Sequence, residues 1–190
     1  MRSLALISLL CALCALPATA PGASGGSKSA VVVGDSLAEG TRPYIPPELP
    51  GWRVRQSTAV SRHASEGDDV MRRYGDELPR VIHASLGTND DPRDVSGFRS
   101  SIRAVMRVAG GGRCVVWANI VRPPYAGVSY RGYNRALADE ASRRENLHVL
   151  NWVRMVRRHP EWLAKDGVHA SAAGYRARAK AVARAVARCP

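Results

Sequence analysis

Three short stretches of the chain carry side chains suited to acyl chemistry. The first is Gly34-Asp35-Ser36-Leu37, directly after the β-branched run Ala30 to Val33. A serine at a strand-to-helix turn presents its hydroxyl at the rim of a sheet. Its own N–H, at the start of a helix, can face a developing oxyanion. The second is Gly87-Thr88-Asn89-Asp90, whose asparagine amide is a further candidate donor. The third is Asp166-Gly167-Val168-His169. A carboxylate three residues before a histidine on a tight loop holds the ring and fixes its tautomer. The far ring nitrogen is then left to deprotonate a serine. The chain contains no G-x-S-x-G elbow, which excludes the α/β-hydrolase arrangement of such a triad.

Each stretch alone is as common in ordinary turns as in active sites. Their meaning depends on the elements that carry them. Residues 30–33 read as a buried parallel strand. A Pro-rich segment follows (Pro43, Pro46, Pro47, Pro50), read as a loop. Residues 52–60 alternate as a second strand. Residues 67–78 have helical period, with Val70, Met71, Tyr74 and Leu78 on one side. Residues 80–86 form a third strand. Asp94 caps a helix through Val108 that presents Phe98, Ile102, Val105 and Ala109, and Gly110-Gly111-Gly112 ends it. Strands at 113–120 and 147–152 flank a helix at 130–144. Ser171 caps a last helix through Arg188, with Tyr175, Ala179, Val182 and Val186 on its core face. Strands alternating with helices predict βαβ units and a parallel sheet covered on both faces, with the active site at the carboxyl ends of the strands.

In that order, and at those strand ends, the three stretches resemble the SGNH (GDSL-type) hydrolase family. Gly34-Asp35-Ser36-Leu37 matches its first block, Gly87-Thr88-Asn89-Asp90 its third and Asp166-Gly167-Val168-His169 its last. The resemblance covers nearly all of the chain after residue 29. It implies a flavodoxin-like three-layer α/β/α sandwich with a five-stranded parallel sheet. It implies Ser36 as nucleophile, His169 as general base and Asp166 as the carboxylate that orients it. The Ser36 N–H and the Asn89 side chain would fill the oxyanion hole. The family's second block departs: it has a glycine after strand two, and alignment of the strand end puts Ser61 there. A serine N–H can serve if the local backbone does not demand glycine, so Ser61 is the third candidate donor.

Other residues offer less. His83 falls inside strand three and reads as core. His148 and His159 lie in segments without evident partners, and His63 is near the rim at a surface position. Asp90, Asp91 and Asp94 fit no calcium loop, and no Cys/His set has zinc spacing, so neither metal nor cofactor is expected. Trp117, Tyr125, Tyr130 and Tyr133 read as packed aromatics, with a carbohydrate or acyl pocket as the alternative. The segments Arg42 to Pro50 and Arg122 to Ser129 are expected to shape the acyl pocket.

The bulk properties set the context. The chain has 190 residues and a formal net charge of +12, with 28 basic and 16 acidic side chains. Such a charge invites a nucleic-acid reading, but three lysines (Lys28, Lys165, Lys180) and 25 arginines are scattered from end to end without a basic tail or block. A solvated basic surface is the expectation, with Arg176, Lys180, Arg184 and Arg188 as one exposed helix stripe. Residues 1–20 read as an export signal: Arg2, the apolar run Leu4 to Leu16, and Ala18-Thr19-Ala20. The run is too short for a membrane span. Residues 21–28 read as a flexible linker and 29–190 as one hydrolase domain. In an exported protein Cys114 and Cys189 are candidates for a disulfide. Cys114 opens strand four at the bottom of the sheet. Cys189 ends a helix that runs antiparallel to the strands and finishes there too.

The chain therefore reads as a secreted or wall-associated monomeric serine esterase acting on a small-molecule or polysaccharide ester. The alternatives are an acyltransferase with the same triad, or a weak or inactive wall- or carbohydrate-binding module. The positive surface would favour an anionic cell wall over nucleic acid.

Overall fold

The computed structural model describes residues 28–190, so the expected export signal, and the linker up to residue 27, lie outside the described residues. Five strands form one sheet: β1 (Ser29–Gly34), β2 (Arg53–Thr58), β3 (Val81–Ser85), β4 (Cys114–Ala118) and β5 (Leu147–Leu150). All neighbours are parallel, in the order β2-β1-β3-β4-β5. This is the flavodoxin-like doubly wound order, whose switch point falls between β1 and β3. β1 registers Gly34 against Thr58 on one side and Ser85 on the other. The residues after β1 and β3 thus emerge side by side at the crevice.

Among the described residues seven helices cover the sheet, the last two following β5: α1 (Ser36–Thr41), α2 (Ile45–Glu48), α3 (Gly67–Arg72), α4 (Val95–Ala109), α5 (Arg131–Ala141), α6 (Trp152–Arg158) and α7 (Ala172–Ala187). On one face of the sheet α3, α4 and α5 bury Met71, Phe98, Ile102, Val105, Tyr133 and Leu137. Phe98 stacks on Tyr133 at 4.2 Å and meets Trp117 edge-on at 5.9 Å. On the other face α1, α2, α6 and α7 bury Ala38, Ile45, Trp152, Ala179, Val182 and Val186. Asp94 and Ser171 cap α4 and α7 by accepting from Gly97 N–H and Gly174 N–H.

Several local readings need correction. The helix expected over 67–78 stops at Arg72, and a separate 3₁₀ turn spans Gly75–Glu77, because Gly75 takes φ 51° and breaks the ladder. The Pro-rich segment is not a loop. It forms a 3₁₀ turn at Arg42–Tyr44 and the one-turn helix α2, with prolines in their first positions, where the missing N–H costs nothing. The fifth strand ends at Leu150, not Trp152. Asn151 accepts from Arg154 N–H and starts α6, a helix not anticipated from sequence. Tyr175 is only partly buried, whereas Arg178, one helical turn on, is buried on the core face of α7. His159 does have partners: it lies 3.1 Å from Glu161 and stacks on Trp162 at 4.1 Å.

Cys114 and Cys189 are joined by a disulfide, with Cα atoms 5.8 Å apart across 75 residues of sequence. The bond ties the start of β4 to the end of α7. Among the described residues no helix is long and apolar enough to cross a membrane.

Candidate active site

Ser36 is the first residue of α1, and Asp35 before it is the N-cap. The Asp35 N–H donates to the Ser85 carbonyl at 3.0 Å, and Oδ1 accepts from Leu37 N–H at 3.0 Å. Both bonds hold the turn so that the serine faces out over the end of β1. Gly34 permits this packing: a Cβ there would lie 2.4 Å from the Ala38 Cβ and 2.9 Å from the Ser85 carbonyl oxygen. Asp35 is fully buried, and burial raises its carboxyl above the ordinary value, opposed by the Leu37 N–H and by the charge of Arg178.

His169 arrives from the loop before α7. Its Nε2 is 3.0 Å from Ser36 Oγ, and its Nδ1 is 2.7 Å from Asp166 Oδ2. The other Asp166 oxygen accepts from the N–H groups of Val168 (2.9 Å) and His169 (3.0 Å). The His169 hydrogen bond, then these two N–H groups, lower the Asp166 pKa to about 2. The loop is closed by Ala164 N–H to the His169 carbonyl at 2.8 Å, with Gly167 at φ 69° making the turn. With the proton on Nδ1 donated to Asp166, Nε2 is the acceptor for the serine hydroxyl. The sequence-predicted trio Ser36, His169 and Asp166 is thus brought into one hydrogen-bonded chain.

Asn89 follows β3. Its Nδ2 donates to the Arg62 carbonyl at 3.2 Å, which fixes the amide and leaves its second N–H for another acceptor. Ser61 lies in the loop after β2, exposed, with φ 62°. The backbone there does adopt the left-handed conformation that favours glycine. The serine therefore holds this conformation at a cost.

Arg62 went unrecognised in the sequence. Its Nη1 donates to the Gly34 carbonyl at 3.1 Å and also to the Ser57 carbonyl, while its own carbonyl receives Asn89. One residue thereby binds together the ends of β1, β2 and β3. Asp90 is a second such residue: it accepts from Ala64 N–H at 3.0 Å and lies 3.3 Å from His63 Nδ1, which ties the two donor loops together. An arginine adjacent to the departing block was the only sequence signal for the first of these.

The triad residues do not line the largest of the described cavities. That cleft, about 690 Å³, opens at the carboxyl ends of β4 and β5, and Arg122, Ser129 and Tyr130 belong to its wall. The Pro-rich segment packs against α7. Of the four aromatics, Trp117, Tyr130 and Tyr133 are packed and Tyr125 is half exposed. Among the described residues no group of His, Cys, Asp and Glu is placed to hold a metal ion.

No protein-family model matches the chain, and no curated protein matches it in sequence. Solved structures do. A GDSL-family lipolytic protein from Veillonella parvula superposes with a TM-score of 0.71 at 14% identity, over 85% of this chain and 99% of that one. The C-terminal catalytic domain of peptidoglycan O-acetyltransferase A from Streptococcus pneumoniae gives 0.67 at 19% identity, over 86% and 92%. A lipase/acylhydrolase from Enterococcus faecalis gives 0.66 at 19%, over 84% and 95%. Similar to these proteins over nearly its whole described length, the chain has the fold of the SGNH (GDSL-type) hydrolases.

Proposed function

We propose that the chain is an exported serine esterase that works through an acyl-enzyme. The observation that carries this reading is the continuous bonding of Ser36 Oγ, His169 Nε2 and Nδ1, and Asp166 Oδ2 at 3.0 and 2.7 Å. Ser36 Oγ attacks the ester carbonyl and its proton passes to His169 Nε2. Asp166, ionised throughout, stabilises the imidazolium. The oxyanion is received by the Ser36 N–H, the free N–H of Asn89 and the Ser61 N–H. Collapse expels the alcohol, which takes the proton from His169. Water, deprotonated by the same nitrogen, then releases the acid. No metal or cofactor enters any step.

The substrates this reading favours are small acyl groups on carbohydrate, or lipid and simple esters. The disulfide and the leader-like N-terminus fit an extracytoplasmic setting. Transfer of the acyl group to a sugar hydroxyl instead of water is the second reading, favoured by the likeness to a peptidoglycan O-acetyltransferase domain. A weakly active binding module is favoured only by the backbone at Ser61.

The test is labelling with a fluorophosphonate probe, followed by peptide mapping, alongside hydrolysis of p-nitrophenyl acetate. The label is expected on Ser36, with none on Ser36→Ala and hydrolysis by that variant at background. Equal labelling or equal rates for the two proteins would overturn the proposal.

A further inference from the structure

The cleft at the carboxyl ends of β4 and β5 has an unusual lining. Five arginines surround it: Arg122 from the loop after β4, Arg131 and Arg135 from α5, and Arg154 and Arg157 from α6. The spacing of four on α5 and three on α6 sets two cationic rows on either side of one concavity. No carboxylate lines it. None of the five makes an ion pair among the described residues. The two acids of α5 are engaged elsewhere, Asp139 by Arg99 and the buried Glu140 by Arg99, Arg103 and Arg144. A solvated stripe spreads its charge over a convex face. Here five arginines without ion pairs line one hollow, which concentrates the positive field and favours an anionic occupant.

We infer that this cleft is a subsite for an anionic polysaccharide whose ester is presented to Ser36. The inference rests on the esterase reading and names its substrate class. Guanidinium forks match carboxylates and phosphates in a bidentate way. The lining also includes apolar residues (Ile120, Val153, Ala138) that suit the carbon faces of sugar rings. The only aromatic in the lining, Tyr130, is 3% exposed, so the cleft has no platform on which nucleic-acid bases would stack.

The cleft is also joined to the candidate oxyanion loop. Arg122 donates to the Thr88 carbonyl, and the Tyr130 hydroxyl donates to the Thr88 and Asp90 carbonyls at 3.3 and 2.9 Å, on either side of Asn89. From β1 to β5 is three strand steps, roughly 14 Å along the rim. An occupant that reaches both places must be an extended chain.

The experiment measures binding to Ser36→Ala by calorimetry with three ligands: polygalacturonate oligomers, uncharged malto-oligosaccharides of equal length, and single-stranded DNA of equal charge. Polygalacturonate is expected to bind, the neutral oligomers not to bind, and DNA to bind at least tenfold more weakly. Adding Arg131→Glu and Arg154→Glu should weaken polygalacturonate binding by tenfold or more. Arg73→Glu with Arg143→Glu, the same charge change on exposed arginines elsewhere, should change it less than twofold. The pair Arg131→Gln and Arg154→Gln repeats the test without charge reversal, and thermal midpoints verify that each variant folds. Equal weakening by the two glutamate pairs, or DNA binding as tight as polygalacturonate, overturns the subsite. Fluorophosphonate labelling of the unmutated protein is read separately: its failure removes the esterase reading while leaving the binding result intact.

Discussion

Arg178 and Ser85 meet beneath the turn that carries Ser36, with Arg178 Nη2 donating to Ser85 Oγ at 3.0 Å. The carbonyl of the same serine receives the N–H of Asp35, the residue before Ser36. The last residue of β3 thus links α7 to the N-cap of α1. Arg178 is 2% exposed and lies 5.0 Å over the Trp152 ring. Burial brings its pKa down to about 10, against the opposing charge of Asp35.

These two buried charges should be coupled. Arg178→Met leaves the buried Asp35 without its positive neighbour and should destabilise the fold. Asp35→Asn combined with Arg178→Met keeps the cap on Leu37 and the packing on Trp152, and should recover most of the loss. Urea unfolding of the two singles and the double checks this. Strictly additive losses would show that the pair is not coupled.

His83 gives the fold a pH signature. It is buried in β3 with Nδ1 2.9 Å from the Val116 carbonyl oxygen, and burial, then the charge of Arg178, lower its pKa to about 3. The unfolded chain takes up this proton near pH 6.5 and the folded chain does not, so stability is full above 6.5 and falls as pH drops towards 3. The expected slope is about 1.4 kcal/mol per pH unit between pH 6 and 4. Asp166, lowered to about 2, adds its loss only below its ordinary value of 3.8, outside that window. Asp35 acts in the opposite sense, since its raised pKa favours the folded state at low pH. The difference between the parent and His83→Gln in urea unfolding at pH 4, 5 and 6 isolates the histidine. Parallel profiles would contradict the assignment.

The site was legible where chemistry is written in residue type and place. Ser36 and Asn89 follow predicted strands, and Asp166 and His169 share one tight loop, so the rim rule and the spacing marked them as candidates, while their roles came from the family resemblance. The residues that hold those groups were not legible. Arg62 and Arg178 have a side chain that is solvated by default, and only the packed structure reveals that one binds three strand ends and the other is buried. Asn151 ends β5 early because its side chain caps a helix, a local bond that outweighs the β-branched pattern around it. Ser61 lies in the loop after β2 as expected, but its left-handed backbone is set by the folded turn and was not legible from residue type.

Ser61→Gly tests the cost of that backbone. A serine at φ 62° carries about 1–2 kcal/mol of strain, partly offset by the extra freedom glycine gains in the unfolded chain. The variant should be more stable by about 0.5–1 kcal/mol, with hydrolysis equal to or above that of the parent. Ser61→Val should lose both stability and activity. A thermal midpoint lowered in Ser61→Gly would contradict the strain.

The disulfide closes a loop of 75 residues, worth about 4 kcal/mol in the chain-entropy account. Cys114→Ser with Cys189→Ser should lower the unfolding free energy by that order and leave the fluorophosphonate label on Ser36, since the bond lies at the opposite edge of the sheet. Free-thiol titration of the unfolded, unreduced chain without residues 1–20, and hence without Cys11 and Cys14, should find none. Two thiols per chain would contradict the bond.

Asn89 is the most direct probe of the oxyanion site. Its Nδ2 has one N–H on the Arg62 carbonyl and one free. On the proposed mechanism Asn89→Ala removes a donor to charge that develops only in the transition state, so kcat should fall roughly 100- to 1000-fold with little change in KM. Loss of the Arg62 bond should cost only about 1 kcal/mol of stability, and thermal unfolding separates that effect from catalysis. Arg62→Lys provides the complement. It keeps the backbone carbonyl that orients Asn89 but shortens the side chain whose Nη1 reaches the Gly34 and Ser57 carbonyls, so it should lower stability more than activity. A fall in kcat below tenfold for Asn89→Ala would remove the residue from the oxyanion hole and leave the N–H groups of Ser36 and Ser61 to carry it.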